Sequence, residues 1–155
     1  MNLDYIFPTP VWWVDLDIDL AEMGRICVDT AMNMEGKDRS NRGMLNYQSP
    51  DFLGEKIIND PELEGDEFKK LLILIKEKAC EAFDSFGSMT TTIEYANVWM
   101  NINGKGGYNT RHCHPGSTIS GAFYIKVPED SESPFILTKS RESTDYGFGD
   151  AFEES

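Results

Sequence analysis

The chain has 155 residues, 40% of them hydrophobic and 12% aromatic, a length that suits one globular domain with a core of its own. Its 27 acidic and 14 basic side chains leave a net charge of -13, which repels phosphate backbones and anionic head groups and argues against nucleic acid and membranes as partners. No apolar run approaches the ~20 residues of a membrane span, and the first residues lack the basic and apolar regions of a signal peptide.

The three cysteines, Cys27, Cys80 and Cys113, are widely spaced and odd in number. They suit reduced thiols, so a cytoplasmic protein is expected.

In chain order, IFPTPVWWVDLDI opens with two prolines followed by β-branched and aromatic residues, the pattern of an extended lead-in to a short strand. Asp19 and Glu22 have capping-box spacing. Leu20, Met23, Ile26, Cys27, Thr30, Ala31 and Met34 then recur at helical spacing, which predicts a helix over 20–34 that stops near Gly36. The polar GKDRSNRGMLNYQ reads as a loop. Ser49, Pro50 and Asp51 form an N-terminal signature for a short second helix.

A third helix is the clearest element. Phe68, Leu71, Leu72, Ile75, Ala79, Phe83 and Phe86 make one apolar face, and Gly87 is placed to end it.

Beyond Gly87 the period changes from 3.6 to 2. Tyr95, Asn97, Trp99, Asn101 and Asn103 fall on one face, with Ala96, Val98, Met100 and Ile102 on the other. The amide-bearing face suits either a pocket lining or an exposed sheet face. Gly104, Gly106 and Gly107 make the next turn, and no helix follows them as a phosphate-cradling loop requires. STISGAFYIKV reads as a strand, FILT (135–138) as a last short one, and the remainder as loop or tail. Helices first and strands after is an α+β order, with helices packed on an antiparallel sheet or barrel. A single domain over 1–155 is expected, with helices in 1–87, strands in 88–138 and a tail in 139–155.

Both histidines of the chain, His112 and His114, stand at i and i+2 before Pro115 and Gly116. On an extended segment that spacing puts two imidazoles on one side as a bidentate metal clip and turns Cys113 away. Imidazole suits iron, zinc, nickel or copper, and two donors need a third.

FPTPVW at 7–12 and NVWMNINGKGGYNTRHCHPGSTISGAFYIKVP at 97–128 together resemble a family of 2-oxoglutarate- and iron(II)-dependent oxygenases with FPTP, W-x-N, H-x-H-P and S-G-x-x-Y motifs. The resemblance implies a double-stranded β-helix, a jelly-roll core with the helices packed on one side. It also implies Fe(II) held by His112 and His114, with Asn101 and Tyr124 hydrogen-bonding the carboxylates of the co-substrate 2-oxoglutarate. The expected activity is a dioxygenase that uses O2 to hydroxylate a C–H bond, on a substrate the sequence does not name.

The same resemblance implies a later histidine and an R-x-S clamp. No histidine follows His114, and Arg141 to Ser143 spell R-x-S without one before them. Asp145 and Asp150 are candidate third ligands, although an acidic tail is the plainer reading. The expectation is therefore an incomplete jelly roll, truncated at its C-terminal side, with its oxygenase activity impaired. Two other classes compete with it: a cupin-like metal-binding barrel, disfavoured because Thr118 and Ile119 stand where a glutamate is expected, and a non-catalytic scaffold that completes its sheet as a homo-oligomer.

Overall fold

The computed structural model describes residues 9–36, 46–85, 87, 92–129 and 135–137. Its elements are α1 (Leu20–Asn33), β1 (Asn46–Gln48), α2 (Gly54–Asn59), a 3-10 turn (Pro61–Leu63), α3 (Glu67–Asp84) and β2 (Asn101–Asn103).

α1 and α3 start where their polar caps stand. Asp19 accepts hydrogen bonds from the Ala21 and Glu22 amides, at 2.9 and 3.0 Å. The return arm of the capping box comes from another element, because the Asp19 amide donates to Glu67 Oε1 of α3 at 2.8 Å while Glu22 pairs with Arg25. Asp66 caps α3 through the Lys69 amide at 2.9 Å. Beyond α3, Gly87 takes φ 69°, a left-handed conformation that glycine adopts without a Cβ penalty.

The two long helices bury a small shared core. Ile18, Met23 and Leu71 are its centre, with Leu16, Ile26, Phe68, Leu74 and Ile75 around them, and Phe123 and Ile125 reaching in from beyond the histidines. Leu72 and Ala82 of α3 are also buried. Phe52 packs edge to face on Phe68 at 5.2 Å between ring centroids, tying the start of α2 to α3.

Four expectations are corrected here. Residues 9–19 have no strand. Asn46–Gln48, expected within a loop, form β1, which pairs antiparallel with β2 in the register Asn46 to Asn103, Tyr47 to Ile102 and Gln48 to Asn101. Asn46 and Gln48 carry little β signal and a single Tyr47 between them is too short a run to show a strand, so the pairing partner decides their conformation.

The second helix begins at Gly54 rather than at Ser49 and Pro50, because the capping groups there serve the neighbouring strand. Ser49 Oγ accepts from the Met100 amide at 3.0 Å, and Asp51 Oδ1 accepts from the amides of Leu53 and Val98, each at 3.0 Å. Leu53, at φ 54°, then becomes an N-cap without a side-chain hydrogen bond. Gly54 suits the place, since a Cβ there would lie 2.9 Å from both the Tyr95 ring and Val98.

Finally, among the described residues 117–127 and 135–137 carry no ladder hydrogen bonds and neither is assigned as a strand, although the alternation is present. Ile119, Phe123 and Ile125 are half-buried, while Ser120, Ala122 and Tyr124 are exposed. Among the described residues the sheet has two strands. The mixture is compatible with an α+β fold, and the FPTP motif up to Pro8, Thr138 and everything from Lys139 onward lie outside the described residues.

Candidate metal centre

The segment that carries the site is fixed at its start by carboxylates rather than by a long ladder. Glu55 of α2 accepts from the Tyr95 amide at 2.9 Å and pairs with Lys76 of α3 at 2.8 Å. Tyr95 in turn donates its hydroxyl to the Leu72 carbonyl at 2.6 Å. Lys76 and the Tyr95 amide together hold the Glu55 carboxyl below its ordinary value. Burial pushes the Asp51 carboxyl up, but hydrogen bonds from Val98, Leu53 and Asn97 outweigh it and the net shift is down. Both carboxylates therefore stand charged at neutral pH, as hydrogen-bond acceptors for the strand backbone.

Past β2 the chain turns at Gly104–Gly107, where the Gly107 amide donates to the Gly104 carbonyl at 2.8 Å and Gly106 takes φ 78°. It then runs through Thr110 to His114 with no helix or strand assigned. A second turn follows, with the Ser117 amide donating to the His114 carbonyl at 3.2 Å and Gly116 at φ 78°.

The histidines thus stand on a loop between two glycine turns, not on a strand, yet their two rings still meet. Their ring centroids are 4.9 Å apart and the planes are nearly perpendicular, at 81°. His112 Nδ1 lies 2.7 Å from the Thr110 carbonyl. A carbonyl can only accept, so Nδ1 carries the proton and the lone pair of a neutral ring is on Nε2. A backbone carbonyl on the far nitrogen is the usual support of a metal-binding histidine.

His114 is half-buried against Trp99, with 5.4 Å between ring centroids and a 34° tilt, whereas His112 and Cys113 are exposed. The sequence places Trp99 on the amide-bearing face of its segment. Here it is the wall that seats His114, and its position two residues before Asn101 was the available signal.

Asn101 is exposed on β2, so its amide face is an open sheet face rather than the lining of a closed pocket. Tyr124 is 56% exposed, and its ring contact is with Phe135, at 6.4 Å, rather than with the histidines. Trp99 is brought to the pair; Tyr124 is not. The two imidazoles, with ring centroids 4.9 Å apart, are candidate donors to a first-row divalent ion. Among the described residues no group of three or more His, Cys, Asp or Glu side chains is placed to share an ion. Asp145 and Asp150, the candidate third ligands, and the R-x-S at 141–143 lie outside the described residues.

Residues 97–153 match the family described as "Putative 2OG-Fe(II) oxygenase". The match begins four residues before β2 and includes Trp99, Asn101 and both histidines. No curated protein and no solved structure matches the chain. Among the described residues, no helix is long and apolar enough to cross a membrane.

Proposed function

We propose that this protein is an oxygenase-family chain whose His112 and His114 form a first-row metal clip for Fe(II), with 2-oxoglutarate as co-substrate and hydroxylation as the reaction type. The observation that carries the reading is the pair itself. Two imidazoles stand 4.9 Å apart, and the Nδ1 of His112 is engaged by the Thr110 carbonyl, inside the region that matches the family.

Iron with 2-oxoglutarate supplies the O2-dependent oxidation when both are bound. The chain's own residues do the rest. His112 and His114 offer Nε2 donors, Trp99 restricts the motion of His114, and Asn101, as an exposed amide, is assigned to the co-substrate carboxylates. The family implies a jelly-roll core, and we extend that architecture to this chain. A third donor then comes from the acidic residues after Tyr124 or from another copy of the chain.

The test is calorimetric titration of Mn(II), an inert substitute for Fe(II), into metal-stripped protein, without and then with 2-oxoglutarate. Binding that tightens with 2-oxoglutarate and vanishes in His112→Ala is expected. Affinity unchanged by His112→Ala would remove the pair from the site.

A further inference from the structure

Asn46 stands at the other end of the chain from the histidines, in a segment that sequence reading leaves as loop. Its side chain belongs to a residue only 5% exposed, although it is a primary amide on a three-residue strand. A buried amide has to be hydrogen-bonded to offset its desolvation. Asn46 Nδ2 faces the Tyr108 carbonyl at 3.4 Å, across 62 residues of sequence. On the other side of the same amide, a Cβ built at Gly107 would overlap Asn46 Oδ1, so the turn approaches this side chain as closely as only glycine allows. The backbone of Asn46 is itself fixed opposite Asn103 by the β1–β2 register. One amide therefore ties the sheet to both Gly107 and Tyr108, and Thr110, two residues further on, presents the carbonyl that orients His112 at 2.7 Å.

We infer that Asn46 is the positioning residue of the metal clip: it seats the Gly104–Tyr108 turn on β1, and so sets the path along which the Thr110 carbonyl fixes the His112 tautomer. This rests on the reading of His112 and His114 as a metal pair. Outer partners of metal-binding histidines characteristically control affinity by about ten- to a hundredfold.

The test uses the full chain and two readouts: Co(II) titration followed by its visible absorption, and the His112 tautomer read from long-range proton–nitrogen correlation spectra of the metal-free protein. In the parent, His112 should be the Nδ1–H tautomer. Asn46→Ala should weaken Co(II) binding about ten- to a hundredfold and give a mixture of tautomers, with helix content unchanged.

Asn46→Asp keeps the shape but loses the Nδ2 donor, and it should behave the same way, which guards against a folding defect in the alanine variant. Gly107→Ala should also weaken binding, but combined with Asn46→Ala it should add little, because the added methyl then occupies the space vacated by the amide.

A parent tautomer and parent Co(II) affinity in both Asn46 variants would overturn the assignment, as would strictly additive losses in the double variant. If the parent binds no Co(II) but the tautomer still shifts in the Asn46 variants, the positioning role stands and the metal reading falls.

Discussion

Replacing Glu55 is the most direct probe of how the site-bearing segment is held. Its carboxylate makes two kinds of contact: an ion pair with Lys76 at 2.8 Å, both side chains partly exposed at 32% and 26%, and a hydrogen bond from the Tyr95 amide at 2.9 Å. A partly exposed pair contributes about 0.5–1 kcal/mol. An amide bonded to a charged acceptor contributes about 1.5–3 kcal/mol, much of which is lost when the half-buried donor is left without a partner. Glu55→Ala should therefore lower unfolding stability by about 2–4 kcal/mol, and Glu55→Gln, which keeps an acceptor for Tyr95, by only about 1 kcal/mol.

The pH dependence has a definite sign. Because the folded-state pKa of Glu55 lies below the ordinary value of 4.5, its contribution is complete above that value and is lost as pH falls through the depressed folded value. Urea unfolding followed by far-UV circular dichroism, at about pH 7 and again at about pH 3, should show the gap between parent and Glu55→Ala closing in acid. Equal stability of the two proteins at neutral pH, or a gap that widens in acid, would refute the clasp.

Two further outcomes follow from burial and alternation. Leu72, 1% exposed on α3, should cost about 2–5 kcal/mol when truncated to alanine; a loss under about 1 kcal/mol in urea unfolding would mean that the α3 face is not the packed core described. Cys113→Ser should leave any metal-dependent rise in melting temperature as it is in the parent, since two-residue alternation that pairs His112 with His114 turns the residue between them away. Loss of that rise would place the sulfur among the ligands.

The helices were legible because their signals are local. The apolar stripe of α3 and the capping group at Asp19 act within a turn or two of their own residues, so the observed bounds, Leu20–Asn33 and Glu67–Asp84, fall within two or three residues of the expected ones. The sheet was not legible, because it depends on a partner far away in sequence: nothing in Asn46, Tyr47 and Gln48 announces a strand. Ser49 and Asp51 carry a helix-capping signature that the backbone at 98–100, leading into β2, takes for itself.

Alternation was readable beyond the histidines, where Phe123 and Ile125 do face the core while Tyr124 does not, even without a ladder. At the site, the pairing of His112 with His114 follows from two-residue spacing alone. Trp99 was visible but undervalued, because a tryptophan is equally at home in a core. Asn46 was invisible, since a polar residue in a polar stretch shows its burial only once the fold has closed over it.

The histidine loop is held at two ends that belong to different parts of the molecule. It leaves the sheet at Tyr108, where Asn46 holds it, and is anchored on its far side by Phe123 and Ile125 on the layer of α1 and α3. Between those anchors the exposed backbone has few internal hydrogen bonds, so it is where opening costs least and amide exchange should be fastest. A ligand that bridges His112 and His114 would shorten the free span and draw both anchors into one cooperative unit. At a hundredfold excess over its dissociation constant it would add about 2.7 kcal/mol to global stability. Occupancy at the loop would then be read in the melting of helices that never touch the ligand.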